Sequence, residues 1–200
     1  MAYSASTGFR LRKSLYGGDL PAGQIYRAGN SATLKVGDAV RLNTSGFLVR
    51  CGVGDAVLGI LTGFVAVESN ASLTSGVNPF ALGAPTAGAT LTEDDQVATA
   101  SDNTTRSEYI AGEVVVDPAG ALLWYNDSNE SLDATDDGAY FDVLAGANQI
   151  DAATVSDTSG QFQCLGRDPD GDADASKGLF RINENQLSNT IGNSTAVREA

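Results

Sequence analysis

The sequence predicts an all-β fold, a jelly-roll-like sandwich or barrel with long loops and an extended N-terminal arm. Short runs rich in β-branched and aromatic residues recur along the 200 residues and alternate with polar turn residues. The chain has 23 glycines and only five prolines, which suits many short strands joined by tight turns. Helical periodicity is nearly absent, except in the stretch after Glu184.

The clearest strands fall within residues 34–67. Apolar and polar residues alternate over residues 40–42, and residues 43–46, Asn-Thr-Ser-Gly, have the composition of a turn. Residues 47–51 are again apolar-rich. This order predicts a β-hairpin.

The following segment, residues 56–67, is a continuous apolar run that contains Gly59 and Gly63. Its β-branched content and spaced glycines favour a buried, bent strand over a helix. Gly-Asp-Ala-Val occurs twice, at residues 37–40 and 54–57. We interpret the repeat as one turn-plus-strand device that the chain uses twice, since two copies are too few for a solenoid.

Residues 68–106 have few apolar side chains and predict short edge strands among long loops. Order returns at residues 109–116, which end at the turn signal Asp-Pro-Ala-Gly of residues 117–120. Residues 121–125 are apolar again. The pattern predicts a second hairpin.

The polar connection of residues 126–138 has the composition of a short helix, with Ser131 as its cap. Further strands are predicted at residues 139–144, 160–165 and 178–182.

The predicted organisation has three parts. Residues 1–33 form the extended basic N-terminal arm, residues 34–187 form the β-rich domain, and residues 188–200 form a C-terminal tail. The β-rich domain divides into two lobes in one reading, at residues 34–106 and 107–187.

Charge is distributed unevenly along the chain. Residues 1–50 carry seven Lys/Arg and two Asp, a balance of +5, whereas residues 51–200 carry five Lys/Arg and 23 Asp/Glu, a balance of −18. The two sum to the net charge of −13. A positive leading segment can dock on an acidic surface, while a negative body stays soluble and repels its own kind.

The positive charge is densest at the start of the arm. We predict that five consecutive residues bind the partner: Phe9, Arg10, Leu11, Arg12 and Lys13. An extended conformation would place the two arginines on one side and the other three residues on the opposite side. Three charges in a chain of net −13 are weak evidence for nucleic acid, so we expect no direct nucleic-acid binding. A terminus with no partner is the alternative.

Catalysis has little support in the residue types. The chain has no histidine, which removes Ser-His-Asp and Cys-His catalysis and most imidazole-based metal sites. The paired carboxylates Asp94-Asp95 and Asp136-Asp137 lie in turn-like segments, where adjacent acids point apart. We therefore expect no enzyme activity and no cofactor.

Four carboxylates at every second residue are the best metal candidates: Asp168, Asp170, Asp172 and Asp174. An EF-hand loop needs Gly at its sixth position and an acid at its twelfth. Loops starting at either of the first two aspartates lack both. A surface loop without metal is therefore favoured, and a Ca²⁺ site is the alternative.

The two cysteines, Cys51 and Cys164, are predicted to be buried free thiols, because no secretory signal is found before the first predicted strand; a disulfide between them is the alternative. No apolar window reaches 18 residues, so we expect no membrane span.

Several segments resemble tailed-bacteriophage capsid decoration (cement) proteins. In the amino-terminal part these are residues 35–42 and 56–63, and in the carboxy-terminal half they are residues 116–118, 122–125, 160–169 and 178–187. The most specific element is the ending Arg-Ile-Asn-x-x-Gln. One departure from the pattern is Asn185, which stands where the resemblance leads us to expect His.

The resemblance implies a structural virion protein that binds the outer surface of an icosahedral phage capsid and stabilises contacts between major capsid subunits. It implies two partners, the major capsid protein and the chain itself as homotrimer or homodimer, and no membrane. We expect the chain to be made in the host cytoplasm. The alternative is another virion or cell-surface component, a fibre or adhesin-like β-domain that binds carbohydrate or Ca²⁺.

Overall fold

The computed structural model describes residues 8–17, 21–28, 33–68, 89–92, 97–100, 108–145, 148–167 and 176–187. Within these ranges all regular secondary structure is β-strand. The fourteen strands are β1 (Arg10–Ser14), β2 (Gln24–Arg27), β3 (Thr33–Lys35), β4 (Ala39–Leu42), β5 (Leu48–Arg50), β6 (Gly59–Glu68), β7 (Ala89–Thr92), β8 (Val97–Ala100), β9 (Glu108–Val116), β10 (Leu122–Asp127), β11 (Tyr140–Val143), β12 (Ile150–Ser156), β13 (Phe162–Arg167) and β14 (Lys177–Ile182).

The strands form two main antiparallel sheets that pack as a sandwich. The six-stranded sheet has the order β1-β10-β14-β13-β11-β12, and the five-stranded sheet has the order β2-β9-β6-β4-β5. A small third sheet has the order β3-β8-β7. The all-β prediction is therefore confirmed, and the jelly-roll connectivity stays a prediction.

The core between the two main sheets is aromatic. Trp124, Phe141, Phe162 and Phe180 of the six-stranded sheet are fully buried and face apolar residues of the five-stranded sheet. The rings of Phe141 and Phe180 meet edge to face, with centroids 6.2 Å apart. Buried and half-buried positions alternate along β14, because successive side chains of a strand point to opposite faces.

A second core lies on the other face of the five-stranded sheet. The two ends of this sheet come together where Ala28, after β2, bridges Leu48 of β5, so the sheet curls around its own apolar cluster. Neighbouring residues of one strand therefore serve different cores: Val115 faces the sandwich, and Val114 faces the second cluster. A sheet buried on both faces needs continuous apolar strands, which explains the unbroken buried run of residues 57–61.

The predicted hairpin is present as β4 and β5. The side-chain oxygen of Asn43 accepts hydrogen bonds from the backbone N–H groups of Ser45 and Phe47, and Gly46 has a φ of 78°. An Asx-type turn closed by a glycine in the left-handed region is typical of this sequence.

The Gly-Asp-Ala-Val repeat is the same device used twice, as predicted. In the first copy Asp38 Oδ2 accepts the N–H of Lys35 at 2.7 Å, and in the second Asp55 Oδ2 accepts the N–H of Gly52 at 2.7 Å. In each copy the carboxylate closes a tight turn by binding the amide three residues earlier. The bent strand predicted after the second copy is β6, which is buried at residues 59–61 and has an irregularity between Leu61 and Gly63.

The second predicted hairpin is wrong. β9 belongs to the five-stranded sheet and β10 to the six-stranded sheet, so the turn at residues 117–120 carries the chain from one sheet to the other. Asp117 fixes this crossing, because its carboxylate accepts the N–H groups of Ala121 and Leu122 at 2.8 and 2.9 Å. Gly120 has a φ of 59° there.

The short helix predicted in residues 126–138 is also wrong. The segment forms turns, and the Asp133 N–H donates to Asp136 Oδ2 at 2.7 Å. Leu132 is buried in the aromatic core, which ties the segment to the six-stranded sheet and prevents a solvent-facing helix. The strands predicted after it are present as β11, β13 and β14, whereas β12 was not predicted.

The predicted parts are interleaved in space. The described residues of the arm form β1 and β2, which lie in different sheets. β9 lies beyond residue 106 yet pairs with β6 over most of its length, so strands of both predicted lobes share one sheet. The helical stretch predicted after Glu184 and the tail of residues 188–200 fall largely outside the described residues.

A candidate interaction surface on the six-stranded sheet

The basic residues of the predicted arm lie on β1, at one edge of the six-stranded sheet. Phe9 precedes this strand and is buried in the core, where its ring stacks on Phe162 at a centroid distance of 4.4 Å. The Phe9 N–H donates to the carbonyl of Gly37 at 2.9 Å. Leu11 packs against the same core. Phe9 and Leu11 therefore anchor the strand from inside.

A bulge decides where the basic side chains point. Arg10 pairs with Tyr125 and Leu11 with Trp124, but Lys13, not Arg12, pairs with the next residue, Leu123. The extra residue places Lys13 on the outward side with Arg10. Simple alternation had put Lys13 on the side of the two apolar residues, and that expectation is wrong because it assumed a regular strand. Arg10, Arg12 and Lys13 all have exposed side chains.

Two neighbouring strands complete this outward surface. Cross-strand partners share a face of the sheet, so Tyr125 of β10 and Leu179 of β14 lie beside Arg10. Arg181 is two residues after Leu179 and points the same way. We call this surface the basic face; its members are Arg10, Lys13, Tyr125, Leu179 and Arg181.

Two guanidinium groups of the basic face are held in place. The Arg10 guanidinium lies 5.6 Å from the centroid of the Tyr125 ring, a cation–π arrangement. Arg181 Nε donates to Gln163 Oε1 at 2.8 Å, and Gln163 Nε2 donates to the carbonyl of Gly138 at 2.9 Å. The relay through Gln163 fixes the plane of the Arg181 fork, which reduces the entropy that a partner would otherwise have to remove.

The opposite end of the same sheet is acidic and has a protected edge. Asp142 of β11 pairs with Asp151 of β12. Asn129 covers part of the outer edge of β12, because its N–H donates to the carbonyl of Ile150 at 3.0 Å and its side-chain oxygen accepts the N–H of Ala152 at 2.9 Å. Such covering blocks the addition of a further strand.

The other arginines of the leading segment are used internally. Arg50 donates from Nε and Nη2 to Asp38 Oδ2, each at 2.8 Å, and Arg41 Nε donates to Asp55 Oδ2 at 2.8 Å. The guanidinium of Arg27 lies 5.4 Å from the Phe47 ring. The exposed positive charge of residues 1–50 is therefore densest at β1 and is not spread evenly over the segment.

Several buried carboxyl groups have raised pKa values, each with a structural cause. Burial raises the pKa of Asp38, and the charge of Arg50 only partly offsets this. Burial also raises the pKa of Asp117, against its two backbone hydrogen bonds. The pKa of Glu184 is raised by burial and by the nearby charge of Asp142. The first two hold turns together, which accounts for their burial without a catalytic role.

Both cysteines are free and buried, as predicted. Burial raises the pKa of the Cys164 thiol to about 11 and that of Cys51 further still, so both are protonated at neutral pH. Neither is a nucleophile in this environment.

The described residues contain no group of three or more His, Cys, Asp or Glu side chains that could hold a metal ion. The candidates Asp168, Asp170, Asp172 and Asp174 lie outside the described residues, as does the pair Asp94-Asp95. The absence of a metal site therefore stays a prediction.

The ending Arg-Ile-Asn-x-x-Gln fastens the two sheets to each other. Asn185 Nδ2 donates to the carbonyl of Asp117 at 2.9 Å, and the Gln186 side chain both donates to and accepts from the backbone of Leu42, each at 2.8 Å. The backbone adds to this, since the N–H of Val57 donates to the carbonyl of Glu184 at 2.7 Å. Asn185, the departure from the expected His, supplies the donor that this position needs.

The sequence interpretation did not find Arg181 as part of the surface. The alternation in Lys-Gly-Leu-Phe-Arg-Ile indicates that this arginine points away from the core. Nothing local indicates that only β10 separates β14 from β1 in the sheet, because strand order is a long-range property of the fold.

No family model, curated protein or solved structure matches the chain in comparisons with known proteins. The resemblance to capsid decoration proteins therefore stays a prediction. In the part of the chain that the structure describes, no helix has the length and apolar character needed to cross a membrane.

Proposed function

We propose that this chain is a structural protein of a tailed-phage virion that binds the outer surface of the icosahedral capsid through its basic face. The observation that carries the proposal is the placement of the charge. In a protein of net −13, three exposed cations of β1 and the ordered Arg181 fork share one edge region of one sheet. The sequence resemblance to decoration proteins is the reason for choosing the major capsid protein as the partner.

The same arrangement supports a binding role over turnover. The buried carboxylates of Asp38 and Asp117 and the half-buried carboxylate of Asp55 all close turns, and both thiols are protonated in the core. Rigid side chains on a sheet favour a static contact, because little side-chain freedom is lost when the partner binds.

Stabilisation of the shell would follow from mass action. A protein that binds only the assembled lattice stabilises it by RT ln(1 + [L]/Kd) for each occupied site. In the proposed arrangement, homodimers or homotrimers bridge neighbouring capsid subunits, and the acidic remainder of each copy faces solvent.

The test is co-sedimentation of the purified chain with expanded shells assembled from the major capsid protein of the same phage. The variant Arg10→Gln/Arg12→Gln/Lys13→Gln should bind at least tenfold more weakly at low salt, with a smaller difference at high salt because screening weakens exposed charges. Deleting the segment is a poor test, because Phe9 belongs to the core. Arg167→Gln on β13 is a control for the loss of an exposed cation elsewhere.

Saturable binding of the wild-type chain that the triple change weakens would support the proposal. Wild-type occupancy by the triple variant at low salt would contradict the role of the basic face. Failure of the wild-type chain to bind the shells, together with binding to glycans, would favour the fibre or adhesin alternative.

A further inference from the structure

We infer that the basic face recognises paired carboxylates on an acidic protein surface, and that Arg181 is a specificity-determining residue of this contact. The inference rests on the proposed function and deepens it, since it names the chemistry that the partner presents. It also names the mode of contact, which is made across the face of the sheet and not by strand addition at its edge.

The edge of β1 is poorly suited to strand addition. The bulge at Arg12 interrupts the regular spacing of backbone groups, and exposed basic side chains stand along the strand. Both features are known ways of keeping an edge strand from pairing with another chain. The outward face beside it has the opposite character, with rigid polar groups over a close-packed floor.

That floor is Leu123, which is only 4% exposed although it lies on the outward side of β10. Lys13 pairs with it across the strands, and Arg181 lies next to it in the continued register of β14. Long basic side chains cover such a residue with their aliphatic stems and present their charges above it. The two cations therefore flank Leu123 from the two neighbouring strands.

The fork of Arg181 is directed by its own hydrogen bond. Nε is occupied by Gln163, and among the described residues no acceptor is within hydrogen-bond distance of the two terminal nitrogens. A guanidinium held in this way offers two parallel N–H donors, which match the two oxygens of a carboxylate. A lysine at this position would offer only a point charge.

The width of the surface argues for carboxylates over a nucleic-acid backbone. The cations lie on β1 and β14, which are two strand spacings apart, or about 10 Å. Beyond them the sheet becomes acidic at Asp142 and Asp151. A patch of this width accommodates two or three carboxylates, whereas an extended nucleic-acid strand would continue into the acidic half and be repelled.

The direct test is NMR of the arginine Nε–H groups in the full chain during titration with acetylated hexaglutamate. We expect saturable shifts of the Arg10 and Arg181 signals. The Nε–H signals of Arg41 and Arg50 are internal controls, because their guanidinium groups are already paired with the carboxylates of Asp55 and Asp38, whereas Arg181 has only an amide partner. Hexathymidylate, with a similar number of charges, is the competing probe and should bind more weakly.

Substitutions distinguish bidentate binding of a carboxylate by the Arg181 guanidinium from attraction by its positive charge alone. Arg181→Gln should weaken hexaglutamate binding about fivefold, the upper range for an exposed ion pair, and Arg181→Lys should recover only part of the loss. Gln163→Leu keeps the charge but removes the relay, and a loss of two- to threefold is expected. Arg167→Gln, which removes a cation outside the basic face, should change the affinity little.

The outcomes distinguish the two claims. Absence of shifts at Arg181, equal affinity for Arg181→Lys and wild type, or tighter binding of hexathymidylate would each overturn the inference. If hexaglutamate binds as expected but capsid shells do not bind, the proposed function fails and the inference about the ligand class stands. If shells bind and Arg181→Gln has no effect, the inference fails and the proposed function stands.

Discussion

The two edge strands of the six-stranded sheet are protected against pairing with another chain in different ways. β12 is covered in part by Asn129, whose backbone N–H and side-chain oxygen bind the carbonyl of Ile150 and the N–H of Ala152. β1 carries a bulge, exposed cations and a buried aromatic anchor. The covered part of β12 cannot pair with a further strand, whereas the bulge in β1 directs basic side chains to the outward face of the sheet. This difference is a reason for proposing the β1 end as the functional end of the sandwich.

The largest expected effect is on the free energy of unfolding when Phe9, which anchors β1 in the core, is truncated. Phe9→Ala removes a ring that is 4% exposed and stacked on Phe162, and should lower the free energy of unfolding by about 3–5 kcal/mol. Val155→Ala at the β12 edge is the matched control. This side chain is 51% exposed, so the change should be within about 0.5 kcal/mol. Urea denaturation measures both. Equal effects would mean that β1 does not depend on its anchor.

The second prediction compares the two Gly-Asp-Ala-Val turns. The first of them supports β1, since the carbonyl of Gly37 accepts the N–H of Phe9. Asp38 is fully buried, and Asp38→Ala leaves Arg50 without its carboxylate, at a cost of about 3 kcal/mol. Asp55→Ala breaks the same contacts where the side chains are 33% exposed, at a cost of about 1 kcal/mol. If the Asp55 variant melts at a lower temperature than the Asp38 variant, burial does not determine how much each aspartate stabilises the fold.

The third prediction opens the covered edge. Asn129→Ala removes the acceptor for the N–H of Ala152, with an expected cost of about 1 kcal/mol. We also expect the variant to self-associate more, because the newly uncovered part of β12 can pair with a strand of another molecule. Light scattering should show more large species than for Ser131→Ala, a nearby exposed control. Unchanged scattering would argue that Asn129 does not protect this edge.

The smallest effect is a pH dependence at the acidic end of the sheet. The pKa of Glu184 in the folded chain is raised above its ordinary 4.5, so the folded state binds this proton more tightly than the unfolded state. The stabilisation is therefore present at low pH and is lost as the pH rises through the folded pKa. Glu184→Gln should flatten this part of the melting temperature–pH curve above pH 4.5. A steeper curve for the variant would reverse the sign of the argument.

Local features of the fold could be predicted from the sequence. The hairpin of β4 and β5, the reuse of Gly-Asp-Ala-Val and the buried state of Cys51 follow from turn chemistry and from the order of polar and apolar residues. Each depends on residues that are close in sequence or on burial alone.

The candidate surface could be predicted only in part. Exposure of Arg10 and Arg12 was expected, but the bulge that turns Lys13 outward adds a single residue and has no sequence signature. Arg181 joins the surface because β10 pairs with β1 on one side and with β14 on the other. The turn at Asp117 has the composition of a hairpin turn, and only packing of the two sheets decides that it crosses between them.

A cryo-electron microscopy reconstruction of expanded shells decorated with the wild-type chain tests the central claim most directly. The account predicts that β1, β10 and β14 lie against the capsid, with Arg181 beside a carboxylate of the major capsid protein and β12 facing solvent. A reconstruction in which β11 and β12 form the contact and the basic face points away from the shell would contradict it.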